Sequence, residues 1–254
     1  WPCWFGLAFS NHNFNNLIYL YILFFFGSFL MRSAGCIIND LVDINLDKKI
    51  YRTSKRPLTS NKITIFEAFL SLMFFLLLSL SILLQFNLNS IVIGLISIPL
   101  IILYPFLKRW TYWPQLGLGI IFSWGVLIVS MQFNEKLLTD FIILYIGCIF
   151  WTLAYDTIYA YQDIKDDIKN NVKSTAVLFQ EKGKKYVFIF YSIFFISIGF
   201  IGYNSSKSFL SLVVIIASFF VIGIYLNRWK IDSVESSNYY FRFNNIIGIF
   251  IFIY

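Results

Sequence analysis

The chain reads as a succession of apolar runs, each about 20 residues long, and that spacing limits what it can fold into. A helix of about 20 apolar residues crosses roughly 30 Å of hydrocarbon, where every backbone N–H and C=O must be satisfied within the chain. Runs fall near residues 17–37, 63–86, 88–107, 114–133, 137–158, 186–203, 208–228 and 237–254, and residues 1–10, WPCWFGLAFS, read as the tail of one more. The expectation is an all-α polytopic membrane protein, a bundle of nine transmembrane helices with the first incomplete, forming a single domain over residues 1–254. Hydrophobic residues make up 59% of the chain and charged residues 13%, with a mean hydropathy of +0.73, well outside soluble usage. The chain has no initiator Met and stops inside an apolar run, the pattern of a sequence cut at both ends.

The connections alternate between rich and poor in Lys and Arg. Lys48, Lys49, Arg52, Lys55, Arg56 and Lys62 fill the second, and Lys108 and Arg109 the fourth. Lys165, Lys169, Lys173, Lys182, Lys184 and Lys185 fill the sixth, and Arg228, Lys230 and Arg242 the eighth. The intervening connections hold only Lys136 and Lys207, and Arg32 lies inside a span, so the positive-inside rule places the even connections in the cytoplasm. The formal charge of +7 is therefore mainly a topology signal. A nucleic-acid partner is not expected, because no soluble module with a basic face and aromatic platforms is present. Trp110, Tyr112, Trp113 and Trp229 fit an interfacial aromatic belt against the lipid bilayer. Cys3, Cys36 and Cys148 have no paired spacing and read as packing residues. A lone histidine, His12, cannot build a His/Cys metal cluster.

Acidic residues gather in two places on the cytoplasmic side: Asp40, Asp43 and Asp47 after the second span, and Asp156, Asp163, Asp166 and Asp167 after the sixth. On a helix, Asn39, Asp43 and Asp47 recur every four residues and Asp40 joins them, so their oxygens share one face. Asp156, Tyr159, Asp163 and Asp167 follow offsets of 3, 7 and 11 and make a second stripe. A salt-paired, solvated loop is the ordinary explanation of one such cluster. Two features favour function. Asp156 follows WTLAY with no polar buffer and so belongs to a membrane helix, where ionisable groups are costly. The two stripes also sit at equivalent ends of helices four spans apart and can face each other.

Oxygen donors without His or Cys select a hard cation, and Mg²⁺ holds one or two carboxylates while binding phosphate oxygens as well. The other half of the site would be a diphosphate, for which YRTSKRPL offers Arg52, Lys55 and Arg56 directly after the first stripe. A cytoplasmic mouth of this kind opening into an aromatic-rich bundle points to a lipid diphosphate, its head at the metals and its tail among the helices.

These residues resemble a known family. NDLVDINLD (39–47) looks like the NDxxDxxxD motif of the intramembrane aromatic prenyltransferases of the UbiA superfamily, and DIKDD (163–167) like their second DxxxD motif. The longer strings RSAGCIINDLVDINLDKKIYRTSKRPL, YPFLKRWTYWPQLGLG and YDTIYAYQDIKDDIKNNVKST are similar to the branch that acts on 4-hydroxybenzoate. The resemblance runs essentially from Trp1 to Tyr254 and implies a nine-helix bundle carrying out Mg²⁺-dependent transfer from a polyprenyl diphosphate to 4-hydroxybenzoate, in ubiquinone synthesis. It implies metal positions at Asn39, Asp43, Asp47, Asp163 and Asp167, with Asp40 and Asp156 at adjacent acidic positions. Haem, chlorophyllide, naphthoate and homogentisate prenyltransferases share both Asp motifs, so those motifs leave the acceptor open. In NNVKST (170–175), Asn stands where the family has Gly; Asn tolerates positive φ, so the turn is expected to survive.

The chemistry implied is loss of diphosphate from an allylic carbon and attack of the aromatic ring on the resulting cation. Lys173, Arg52 and Arg56 are expected to meet the leaving oxygens, with Arg109 at the acceptor carboxylate. Tyr155, Tyr159 and Tyr161 are candidates to face the cation, of which only Tyr159 shares the Asp stripe. The connections at 39–62 and 159–185 should cap the site against water. An ion-coupled transporter, the rival class, would place its charges near the bilayer midplane on paired broken helices. The expected location is a bacterial inner membrane, with the mitochondrial inner membrane as the alternative.

Overall fold

The computed structural model describes residues 1–10, 14–133, 138–206 and 209–254; His12, Lys136 and Lys207 lie outside the described residues. Within them the chain is helix and turn, with no strand. In order, the helices are α1 (Pro2–Phe9), α2 (Phe14–Asp47), α3 (Ile65–Leu83), α4 (Leu88–Leu103), the short α5 (Leu107–Trp110), α6 (Pro114–Ser123), α7 (Gly125–Gln132), α8 (Leu138–Ala160), α9 (Ile164–Lys169), α10 (Thr175–Phe179), α11 (Gly183–Ser206), α12 (Phe209–Arg228) and α13 (Val234–Ile253).

Six stretches of the described residues are long and apolar enough to cross a membrane: Leu17–Asp47, Ile65–Leu83, Leu88–Trp110, Pro114–Gln132, Thr139–Ala160 and Thr175–Ser205. This is an integral membrane protein. The expected count of nine is not reached by these criteria. α1 has only eight residues, the apolar part described in α12 is the shorter Val213–Arg228, and the first half of α13 carries Glu235, Asn238 and Arg242. The run at 114–133 is two helices, broken at Trp124.

Helix starts follow local chemistry. Thr64 and Glu67 form a capping box on α3, Asn87 accepts the Ser90 N–H on α4, and Ser233 caps α13. α6 opens on Pro114, whose missing N–H costs nothing in a first turn. In water the outer face of α3 would be a liability, since Ile65, Phe66, Phe69, Leu70, Phe74 and Leu77 are all more than half exposed. In hydrocarbon it is the expected surface.

α8 is the axis of the bundle, packed against α6, α11 and α13. Its neighbours come close because small residues line the contacts: a Cβ added at Gly119 would lie 2.8 Å from the Ile149 carbonyl oxygen, and one at Gly147 2.7 Å from Ser197 Cβ. Asn244 of α13 locks these helices together, its Oδ1 accepting from Trp151 Nε1 (3.2 Å) and the Tyr191 hydroxyl (2.6 Å). All four of its hydrogen-bonding capacities are used, as a buried amide requires.

The Lys- and Arg-rich connections meet at one end of the bundle. Arg52 contacts Asp163, Lys108 contacts Asp43, Lys173 N–H donates to the Lys108 carbonyl, and Lys184 donates to the Asn227 carbonyl. Of the expected aromatic belt, Trp110, Tyr112 and Trp113 are exposed. Trp229 is not: it is fully buried against Tyr161 and donates to Ser237 Oγ. Its indole N–H found a partner inside the protein, which removes the reason for an interfacial position.

Candidate functional site

α2 continues as regular helix through Asp47, so Asn39, Asp40, Asp43 and Asp47 share its inner face as the spacing requires. The chain then turns back. Thr53 Oγ1 donates to the Asp47 carbonyl at 3.1 Å, which brings Arg56 Nη1 to Asp40 Oδ1 (2.7 Å) and Asp47 Oδ2 (2.9 Å). One guanidinium thus bridges two carboxylates two helical turns apart.

The second stripe, spaced as on one helix, is divided by a turn. α8 ends at Ala160, and a turn carries the chain to Asp163, the N-cap residue of α9. The break frees Asp163 to receive Arg52, whose Nε lies 2.9 and 3.1 Å from its two oxygens and whose Nη2 lies 2.5 Å from Oδ2. Arg52 Nη1 also donates to the Tyr159 hydroxyl at 2.6 Å, and the guanidinium covers that ring. The Tyr51 N–H donates to Asp166 Oδ2 (3.1 Å), so the segment after α2 is fastened onto the segment after α8. Residues from the two expected capping connections therefore do meet over the site.

Asp43 is fully buried, held by ion contacts to the Lys108 ammonium and, at 3.7 Å, Arg109. Neither of its oxygens accepts a well-directed hydrogen bond. Asp167 is buried too and accepts from Ser174 Oγ at 3.2 Å. Burial and the neighbouring Asp163 push its carboxyl up to about 7, against the pull of Ser174, Lys108 and Arg52. Lys108 therefore acts on both stripes, in contact with Asp43 and through its field on Asp167, and Arg52 likewise joins Asp163 to the field of Asp47.

Asn171 adopts φ 55°, the left-handed turn that the Asn-for-Gly exchange was expected to keep. The turn leads to Lys173, whose Nζ donates to the Trp110 carbonyl (3.1 Å) and packs over Tyr112. Lys173 thus stands at the rim, tied to the 108–113 strap. Lys55 is exposed and spends its ammonium on the Tyr51 hydroxyl and ring, away from the carboxylates. Arg109 is half exposed and donates to the Val42 carbonyl at 2.9 Å.

A cavity of about 910 Å³ runs inward from this end. Asn39, Asp40, Arg56 and Tyr159 line its mouth, and Phe24, Phe86, Leu118 and Ile128 line apolar wall farther in. Arg32, Tyr104, Tyr155 and Asp156 line it as well. Tyr161 does not, because it points to Trp229 and the Gln180 carbonyl. Sequence reasoning passed over Arg32 as a charge within a span and took Lys108 for a topology signal. Arg32 carried a usable sign, being an arginine inside an apolar run. Lys108 carried none, since its pairing with Asp43 is made across 65 residues of chain.

Among the described residues, no group of three or more His, Cys, Asp or Glu side chains converges as a metal site. Each stripe is instead held by basic side chains. The donor set still suits a hard cation: it is all oxygen, and the fully buried Asp43 carboxylate is met by the charges of Lys108 and Arg109 and accepts no well-directed hydrogen bond.

The description of the UbiA prenyltransferase family matches residues 1–246. The chain is 36% identical over 254 residues to a 4-hydroxybenzoate octaprenyltransferase of Francisella tularensis subsp. mediasiatica, covering 100% of this chain and 89% of that one. It is 39% identical over 239 residues to the mitochondrial 4-hydroxybenzoate polyprenyltransferase of Bos taurus, covering 92% of this chain and 64% of the relative. In fold it is similar to a UbiA homolog from Aeropyrum pernix (TM-score 0.79, 20% identity, 99% of this chain and 95% of that). A UbiA homolog from Archaeoglobus fulgidus, solved bound to GPP and Mg²⁺, is also similar (TM-score 0.71, 19% identity, 99% and 92%). With its acidic stripes at one end of a helical bundle and a family match over almost its whole length, the chain belongs to the UbiA prenyltransferase family.

Proposed function

We propose that this protein transfers a polyprenyl group from a polyprenyl diphosphate to the ring of 4-hydroxybenzoate, releasing diphosphate, in ubiquinone biosynthesis at a bacterial inner membrane. The observation that carries the reading is the convergence of two carboxylate stripes and three basic side chains, Arg52, Arg56 and Lys108, at one end of the bundle, beside a cavity that Asn39, Asp40, Arg56 and Tyr159 line and whose walls are aromatic and apolar. The names of the 4-hydroxybenzoate prenyltransferase relatives support the acceptor, and the solved homolog with GPP and Mg²⁺ supports the diphosphate and the metal.

Asn39, Asp43, Asp47, Asp163 and Asp167 would hold Mg²⁺, with Asp40 at their margin. When bound, the metal supplies positive charge to the diphosphate oxygens, and so stabilises the leaving group. Arg52, Arg56 and Lys108 are the residues that neutralise the carboxylates in the free protein. They are placed to turn toward the diphosphate once its charge arrives, because guanidinium and ammonium groups suit phosphate as well as carboxylate. Lys173 holds the strap that carries Lys108. The apolar wall receives the prenyl tail and excludes water from the allylic cation. Tyr155 and Tyr159 line the cavity, and the Tyr159 ring already carries the Arg52 guanidinium, so these rings would favour a positive charge there.

For the acceptor carboxylate, Arg32 is better placed than Arg109. Arg32 lines the cavity with its guanidinium over Phe122, 4.5 Å from the ring centroid, whereas Arg109 does not line it and is held by the Val42 carbonyl and Asp43. Membranes carrying the protein, given 4-hydroxybenzoate and a polyprenyl diphosphate with and without a chelator, test the reading. Metal-dependent prenylated product is expected. Product from naphthoate or homogentisate but not hydroxybenzoate would reassign the acceptor, and metal-stimulated ion flux without product would favour transport.

A further inference from the structure

Ring prenylation has to dispose of a proton, and most carboxylates near the site already have a partner. Asp43 is engaged by Lys108, Asp40 and Asp47 by Arg56, Asp163 by Arg52, and Asp167 by Ser174. Asp156 differs. It belongs to α8, one turn before the helix ends, and it lines the cavity. Among the described residues it takes part in no hydrogen bond and no ion pair; the guanidiniums of Arg32 and Arg52 act on it only from farther away. A carboxylate kept without a partner inside a membrane bundle is costly, which makes a structural role a poor explanation for it.

Its surroundings fit a substrate ring. Arg32 lines the same cavity from α2, eight residues and so about 12 Å along the helix from Asp40. Tyr155 and Tyr159 flank Asp156 on α8, and both rings contact Phe241 of α13, at 5.9 and 4.6 Å. An aromatic acid held at its carboxylate by Arg32 would lie among these rings with Asp156 along its edge.

We propose that Asp156 is the general base of the transfer, accepting the proton from the ring carbon that attacks the allylic centre. This rests on the prenyl-transfer reading above. The allylic C–O bond breaks and its electron pair leaves with diphosphate. A π pair of the ring forms the new C–C bond, the C–H pair then returns to the ring, and the proton passes to the Asp156 carboxylate, which later yields it to water. No other reactant is needed.

The test compares wild type, Asp156→Asn and Asp156→Glu with 4-hydroxybenzoate carrying hydrogen or deuterium at the ring positions beside the hydroxyl. Asp156→Asn is expected to lower kcat by roughly 100-fold or more, the usual contribution of a positioned base. A primary isotope effect larger than that of wild type should appear, because proton removal becomes limiting. Asp156→Glu should recover part of kcat. Calorimetric binding of inorganic diphosphate with Mg²⁺ should match wild type, which shows that the variant is folded. Near-wild-type kcat in Asp156→Asn overturns the proposal. So does a loss that appears as a raised KM for the acceptor with an unchanged isotope effect, which would make Asp156 a binding residue only. A wild-type protein that yields no prenylated hydroxybenzoate sinks the underlying reading, and this inference with it; product from wild type together with an active Asp156→Asn sinks this inference alone.

Discussion

The two acidic motifs occupy matching positions but are built differently. The first lies on unbroken helix, so its inward side chains follow from 3.6-residue periodicity, and its central Asp43 is sealed from solvent. The second lies across a turn between α8 and α9, and its Asp163 keeps some exposure beneath Arg52, its side chain 14% accessible. The first motif is therefore a rigid half whose charge is expensive to unbalance. The second is a half whose geometry depends on what is docked over it.

The sharpest test of that contrast pairs Asp43→Asn with Asp163→Asn. Both should lower turnover by roughly 100-fold or more, since each removes a charge that would hold the metal. Asp43→Asn should destabilise the protein more, because it leaves Lys108 without its partner at a fully buried carboxylate, whereas the Arg52 stranded by Asp163→Asn is closer to solvent. Removing one member of a buried pair costs about 3–5 kcal/mol, and Lys108, 20% exposed, puts the loss toward the lower end. Thermal unfolding in detergent reads the difference; equal stability losses would erase the distinction, and retained turnover in both would remove the metal assignment.

Arg52→Gln probes the dependence of the second half on its cover. It should raise KM for the prenyl diphosphate about tenfold, the scale of one charge-assisted hydrogen bond. It should also make the 48–62 segment more sensitive to protease. An unchanged cleavage rate would show that Arg52 does not fasten that segment.

A smaller effect concerns pH. The Asp167 carboxyl, raised to about 7 by burial and by Asp163, contributes stability that is fully present below the unfolded carboxylate value near 4 and is lost as pH climbs to 7. A metal must displace that proton, so Mg²⁺ affinity should fall as pH drops below 7, by up to about tenfold per unit. Calorimetry across pH 6 to 8 measures it, and a flat profile would exclude Asp167 as a ligand. The mildest change is Asn171→Ala, which should cost about 1 kcal/mol at a left-handed position, with Asn171→Gly neutral or better. Equal stability of the two variants would mean that the turn relaxes.

Much of this was legible in advance because it is local. The first stripe, the membrane helix carrying Asp156 and the left-handed turn at Asn171 each rest on neighbours a few residues away. The expected end of the apolar run at 158 lies close to the observed end of α8 at Ala160, but the bend inside the second stripe was not legible, since offsets of 3, 7 and 11 treat Asp156 to Asp167 as one helical face. Trp229 was misplaced for a related reason: a tryptophan beside basic residues reads as interfacial until Ser237, on the next helix, takes its N–H.

The amino-acid order by itself determined an all-helical membrane bundle, the clustering of positive connections and the presence of two oxygen-donor motifs, because apolar length, charge bias and helical repeat are properties of short windows. Tertiary structure alone decided which base answers which acid. The contacts Lys108 to Asp43 and Arg52 to Asp163 span 65 and 111 residues, and Arg32 and Asp156 share a cavity wall only because α2 and α8 pack around the same space. Coulombic attraction acts on distance in space, and that distance exists only once the helices have packed.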